Sequence, residues 1–197
     1  MKTNTSFIHS SSIIDDDVEV GSGSKIWHWC HISKNATIGK NCILGQNTFV
    51  GPNVQIGDNC KIQNNVSIYE GLIISNNVFI GPSVVFTNVI NPRALIERKQ
   101  EFKKTIVNEG VSIGANSTIV CGIELGKFSF IGAASVVTKS VSNFSLVYGN
   151  PAKHKGWISR AGIKLNLPEI GNGISSVCLK SNKKYILQKD LLLEIEI

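Results

Sequence analysis

The chain is expected to fold as an all-β parallel β-helix built from six-residue repeats. Three observations point there: a large aliphatic residue recurs at every sixth position, glycine often follows it, and polar residues fill most of the rest. Stepping by six from Ile8 reaches Ile14, Val20, Ile26, Ile32, Ile38, Leu44, Val50, Ile56, Ile62, Ile68, Ile74, Ile80 and Phe86. In a chain that is 42% hydrophobic, chance gives such a run on the order of once in a hundred thousand tries, so the period is real. The step resumes at Val107 and continues through Ile113, Ile119, Leu125, Ile131 and Val137.

A helix would repeat near 3.6 residues and a simple strand at 2. A period of six implies a short strand and a turn, repeated. Glycines such as Gly39, Gly45, Gly51 and Gly57 are expected to supply turn dihedrals and close backbone approach. Small or branched residues four places after each aliphatic, among them Cys30, Ala36, Cys42, Val54 and Cys60, form a second inward position. Three units make a triangular coil, so residues eighteen apart stack at about 4.8 Å. Each coil buries its aliphatics against the next, although no coil could fold alone.

The repeat is expected to span residues 1–142, broken by an external loop over 91–106. Asn91-Pro92-Arg93 stops the strand pattern, and Ala94 to Lys104 is charged and partly helical in composition. Residues 143–197 read as an exit segment and a small appendage, with strands near Val177-Cys178-Leu179 and over 184–187.

Composition narrows the function. The net charge of +6 is modest. Its basic clusters, Arg93 to Lys104 and Lys139 to Lys155, suit phosphates or plain solvent. Nucleic acid is not expected, because aromatic and basic residues do not interleave. No apolar run approaches the roughly 20 residues of a membrane span, and Met1 to Ser6 open no signal-peptide core. A cytoplasmic protein is expected. Cys30, Cys42, Cys60, Cys121 and Cys178 show no zinc spacing and read as buried, reduced thiols.

Several motifs go beyond the hexads: Ile26-Trp27-His28-Trp29-Cys30-His31-Ile32, Leu44-Gly45-Gln46-Asn47, Gln63-Asn64-Asn65, Phe86-Thr87-Asn88, Asn91-Pro92-Arg93, Gly114-Ala115-Asn116 and Gly149-Asn150-Pro151-Ala152. Together they resemble the hexapeptide-repeat nucleotide-sugar 3-N-acetyltransferases of surface-polysaccharide synthesis, over residues 8 to 160 or so. The resemblance implies a left-handed helix and a homotrimer with active sites between subunits. It implies acetyl-CoA as donor, with no metal. The implied acceptor is the 3-amine of a nucleotide-linked sugar such as UDP-2-acetamido-3-amino-2,3-dideoxyglucuronate. A dTDP-3-amino-3,6-dideoxyhexose is the alternative acceptor.

By this resemblance Asn88 sits at the reacting amine, as the catalytic residue. Its other reading is a turn residue. Glu70, eighteen places earlier, should lie one coil away and accept a hydrogen bond from the amine, or be a solvated surface charge. His28, Gln46 and Asn64 form a polar column that could line a substrate pocket or merely decorate a corner. His28 and His31 are rival candidates for a general base. Arg93 could grip a carboxylate or a diphosphate, or anchor its own loop. Ala115, Ala133 and Pro151, eighteen apart, are expected to form a column of small residues along the helix, which with Gly114 suits the narrow pantetheine arm of the cofactor or plain subunit packing. Lys139, Lys153 and Lys155 resemble the part of the family that meets its phosphates.

Two other functions fit the fold. A γ-type carbonic anhydrase would need three histidines on neighbouring coils, and the spacing of His9, His28, His31 and His154 does not supply them. A non-enzymatic β-helix explains the hexads but not the Phe-Thr-Asn motif or the loop.

Overall fold

The structure is a computed structural model that describes residues 5–195. Of the opening stretch read as lacking a signal-peptide core, positions 1–4 lie outside the described residues. The strands are mostly two residues long and fall in turn on three parallel sheets, the faces of a prism. The first face begins at Phe7–Ile8 and passes through Lys25–Ile26, Ile43–Leu44, Lys61–Ile62, Phe79–Ile80, Ser112–Ile113 and Phe130–Ile131 to Ser145–Gly149. The second runs from Ile13–Ile14 through His31–Ile32, Phe49–Val50, Ser67–Ile68, Val85–Phe86 and Thr118–Ile119 to Val136–Val137. The third runs from Glu19–Val20 through Thr37–Ile38, Gln55–Ile56, Leu72–Ile74 and Thr105–Val107 to Glu124–Leu125. The 7-stranded second face fixes the number of coils that reach it. Pairings such as Ile26 with Leu44 and Leu44 with Ile62 confirm the stacking of residues eighteen apart.

The repeated aliphatics line the interior. Ile38 and Ile56 are 3% exposed and Ile74 is 2% exposed. Ile8 departs from the pattern at 40% exposed, and Ile14 and Val20 are only partly buried. They belong to the first described coil, which only one described coil covers.

The glycines play one of the two expected parts. Gly39, Gly45, Gly51 and Gly57 do not supply the positive dihedrals; asparagines do, including Asn35, Asn47, Asn53, Asn59 and Asn65, with φ of 58 to 61°. Asparagine tolerates this region because its short side chain bonds locally. Here the bonds run between coils: Asn47 Nδ2 donates to Asn65 Oδ1 at 3.0 Å, and Asn59 Nδ2 to Asn77 Oδ1 at 3.2 Å. The glycines permit close approach instead. A Cβ on Gly39 would lie 2.6 Å from the backbone carbon of Gly57.

The external loop opens and closes earlier than expected. Thr87 still bonds to the next coil, the Lys103 N–H donates to the Asn88 carbonyl at 2.8 Å, and Thr105–Val107 is already a strand. Lys99–Glu101 forms one 3-10 turn, all that the helical composition produces. The helix also runs past residue 142. Leu146 and Val147 pair with Phe130 and Ile131, so the first face continues to Gly149 before Ala152–Trp157 folds back antiparallel.

The appendage is a three-stranded antiparallel sheet, Ile174–Val177, Lys184–Gln188 and Leu191–Ile195. It closes a second core of Phe144, Trp157, Leu165, Cys178, Tyr185 and Leu187. Within it Glu194 accepts from Lys183 Nζ at 2.8 Å and Tyr185 Oη at 2.9 Å, and its pair with Arg160 Nε at 3.3 Å ties the sheet to the exit segment. Burial works to raise the Glu194 carboxyl, but those hydrogen bonds and cations outweigh it and hold the group below its usual range. Burial also pushes the Tyr185 phenol up to about 12. A depressed carboxyl stabilises fully above its unfolded value, and the contribution is lost as pH falls through the folded value. Glu194→Gln should cost about 1–3 kcal/mol at neutral pH. It should also remove that part of the acid sensitivity, as read by thermal melts at pH 7 and in acid.

Candidate active site

The three corners of the prism separate the candidate residues. The first corner, between the first and second faces, carries His28, Gln46 and Asn64, stacked through the pairing of Lys25, Ile43 and Lys61. The pairing of Phe79 with Ser112 and of Ser112 with Phe130 carries the same column on to Ala115 and Ala133. The polar ladder and the small-residue column are therefore one corner, polar in the early coils and small in the later ones. From Asn64 to Ala115 is two coil steps, about 10 Å.

The upper corner holds a shallow depression of about 260 Å³, lined by Trp27, His28, Gln46, Gln63 and Asn64. The His28 ring stacks on His9 at 3.5 Å and lies 6.2 Å from Trp27. Asn64 ties two coils together, because its Oδ1 accepts the Gln46 N–H at 3.0 Å. Gly114 also serves the stacking of coils, since a Cβ there would collide with the backbone of Ala133.

Pro151 does not continue the column. The last step of the first face is sixteen residues, from Phe130 to Leu146, rather than eighteen. That register sets Gly149 over Ala133, and Pro151 lies beyond it at the hairpin tip, after a cis peptide from Asn150. Lys139 follows the second-face strand Val136–Val137 and so lies on the second corner. Lys153 is on the hairpin, exposed, and pairs with Tyr148. Lys155 Nζ lies 5.9 Å over the Tyr148 ring.

The second corner carries Asn88 and Glu70, which the pairing of Ser67 with Val85 sets one coil apart. Asn88 is half-buried at the loop neck, its carbonyl engaged by Lys103. Its carboxamide makes no hydrogen bond among the described residues. Glu70 Oε1 accepts from Asn53 Nδ2 at 2.9 Å, which orients the carboxylate and leaves the other oxygen without a described partner. Beside it opens a cleft of about 260 Å³, closed on one side by Phe102 and Lys104 of the returning loop. Sequence reasoning missed Phe102 and Lys104, because the loop folds back through backbone bonds, Lys103 to Asn88 and Thr105 to Gly71, that no repeat encodes. Arg93 is exposed in the loop and forms no ion pair among the described residues. Within the loop Arg98 pairs with Glu101, its Nη1 2.8 Å from both carboxylate oxygens.

His31 projects from the second face. Its Nε2 is 3.0 Å from Asp15 Oδ1, and its ring meets Phe49 edge-on at 5.7 Å. It lies three coils from Val85, about 14 Å, too far to act at Asn88 in the same subunit. His28 is held in an aromatic stack. Burial lowers the pKa of His154, more than Glu169 raises it, and its Nε2 is enclosed without a partner. It stands apart, against Trp157 at 4.5 Å. Among the described residues no three His, Cys, Asp or Glu side chains stand together as a metal would need. All five cysteines are buried and unbridged.

Comparison with known proteins gives two repeat families. The description "Bacterial transferase hexapeptide (six repeats)" matches residues 17–52, 35–70 and 53–88, and "Hexapeptide repeat of succinyl-transferase" matches 104–139. The chain is similar to dTDP-3-amino-3,6-dideoxy-alpha-D-galactopyranose 3-N-acetyltransferase of Aneurinibacillus thermoaerophilus, 47% identical over 66 residues, 34% of each protein. It is 28% identical over 152 residues to the bifunctional protein GlmU of Thermotoga maritima, 75% of this chain and 30% of that one. The matches thus span about a third of these curated relatives. Among solved structures, a hexapeptide transferase family protein of Anaplasma phagocytophilum aligns over 80% of this chain and 81% of its own, with a TM-score of 0.55 and 18% identity. That likeness concerns the fold alone. No helix among the described residues is long and apolar enough to cross a membrane.

Proposed function

We propose that this chain, which belongs to the bacterial hexapeptide-repeat transferases, moves an acetyl group from acetyl-CoA to the 3-amino group of a nucleotide-linked amino sugar. The observation that carries the reading is the divided first corner: aromatic and amide side chains in its upper coils, a smooth strip at Ala115 and Ala133 below. An elongated donor and an elongated acceptor can lie end to end along such a corner. Asn88 and Glu70 stand on the second corner, and a neighbouring subunit in a closed three-fold trimer brings that corner to the first.

The chemistry needs little beyond placement. A sugar amine titrates nearer the roughly 8 of an α-amino group than a lysine, so about a tenth of it is neutral and nucleophilic at pH 7, far more than of a lysine amine. The nitrogen attacks the thioester carbonyl carbon, the C–N bond forms and the C–S bond breaks. The amine proton leaves, and the sulfur departs as thiolate and is protonated to the thiol. The Asn88 carbonyl orients the amine hydrogens so that the lone pair faces the acetyl carbon. The Glu70 carboxylate takes a hydrogen bond from the amine. Lys153 and Lys155 lie where the cofactor phosphates would emerge.

The acceptor named first is UDP-2-acetamido-3-amino-2,3-dideoxyglucuronate, whose carboxylate the unpaired Arg93 could hold. A dTDP-3-amino-3,6-dideoxyhexose is the second reading, supported by the 47% identity to an enzyme named for such a sugar. Thiol release measured with both acceptors separates them: the true one gives the higher kcat/KM. Ala133→Trp tests the donor's place. It should abolish acetyl-CoA binding in calorimetry while the melting temperature changes little, because residue 133 is exposed. Unchanged affinity would put the donor elsewhere.

A further inference from the structure

We infer that the depression on the upper first corner seats the nucleobase of the acceptor, a pyrimidine, with Trp27 as its stacking surface and Gln46 and Gln63 along its edge; this rests on the nucleotide-sugar reading above. Trp27 is 40% exposed on the outer side of a corner whose inward residue, Cys30, belongs to the core. Its ring is nevertheless held, tilted against Phe7 at 5.6 Å and within 7° of the His28 plane. His28 is fixed in turn by its stack on His9 at 3.5 Å. A flat aromatic surface that is both open to solvent and already ordered costs little further entropy when a second flat ring is laid on it.

The rim supplies the rest. Gly45 leaves the floor of the depression bare, and a Cβ there would lie 2.7 Å from the Asn64 nitrogen. Asn64 spends its Oδ1 on the Gln46 N–H. The carboxamides of Gln46 and Gln63 make no hydrogen bond among the described residues. A carboxamide offers a donor and an acceptor side by side. The imide edge of uracil or thymine offers an N–H between two carbonyls, so the two edges match in either orientation. Neither edge reaches the 5-position where thymine carries its methyl group, and a seat of this kind accepts both bases.

The position agrees with a base rather than a sugar. The depression lies in the coils of Trp27, Gln46 and Asn64, two to four coil steps from Ala115, about 10–19 Å. A nucleoside diphosphate spans that interval and delivers its sugar toward the strip of small residues. The experiment is calorimetry on the full chain with UDP, dTDP and inorganic pyrophosphate as probes, using wild type, Trp27→Ala and Gln63→Leu. Loss of a base–aromatic stack should weaken UDP and dTDP roughly tenfold or more in Trp27→Ala, with acetyl-CoA affinity intact. Gln63→Leu, which keeps the ring, should weaken both nucleotides without touching pyrophosphate. UDP binding unchanged in both variants, or pyrophosphate binding as tightly as UDP, would overturn the seat. If that happens while the wild type still acetylates an amino sugar, the seat alone is wrong. If the wild type binds no UDP and releases no thiol with any amino sugar, the function falls and the seat with it.

Discussion

Asn88→Ala should lower turnover on the order of a hundredfold or more, while acetyl-CoA binds as before. Asn88 is the one candidate that combines a half-buried place at the loop neck with an unengaged carboxamide. Its backbone carbonyl, not its side chain, holds the neck through Lys103 at 2.8 Å, so alanine leaves the loop closed. What is lost is orientation of the amine, a part of the positioning term that can supply several kcal/mol. A group acting only in the transition state lowers kcat and kcat/KM together. His31→Ala should behave differently, because its ring is tied to Asp15 at 3.0 Å three coils away. It should alter acceptor KM more than kcat. If a histidine variant abolished turnover at saturating substrate while Asn88→Ala stayed near normal, the histidine would be the base and the centre would lie elsewhere.

Ile62→Ala should destabilise the fold by about 2–5 kcal/mol, and Ile8→Ala by far less. Ile62 is 0% exposed between Leu44 and Ile80, and a cavity there opens in the middle of the stack. Ile8 is 40% exposed on the terminal coil and already meets water. Since each coil rests only on its neighbours, the central cavity weakens two interfaces at once. Urea unfolding of both variants checks this. Equal losses would mean that the terminal coil is buried in the assembled protein.

The coil is legible because its period is written directly in the chain: one aliphatic in six, and register follows by counting. Counting fails wherever the step changes length. Phe79 pairs with Ser112 across the loop insertion, so nothing in the spacing reveals that Ala115 lies in the column of His28 and Gln46. The sixteen-residue step from Phe130 to Leu146 likewise moves Pro151 out of line. Lys139 and Lys153 are near in sequence, yet a face of the prism separates them. Glycine is the expected holder of the turn dihedrals because it tolerates them. Asparagine holds them instead, since it can also pass a hydrogen bond to the next coil. Asn88 and Glu70 fall together as expected, because the step between them is a regular eighteen. Phe102 and Lys104 are invisible to such counting, since no repeat governs where the loop returns.

Acetyl transfer itself is tested most directly by mass spectrometry of the nucleotide sugar. The chain is incubated with acetyl-CoA and UDP-2-acetamido-3-amino-2,3-dideoxyglucuronate or a dTDP-3-amino-3,6-dideoxyhexose, with released thiol counted in parallel. One acetyl group should appear on the 3-amine of one of these sugars for each thiol released, and none on the corresponding 3-hydroxy sugar. Thiol release that leaves both amino sugars unacetylated, or acetyl transfer to the hydroxy sugar at an equal rate, would contradict the proposed reaction.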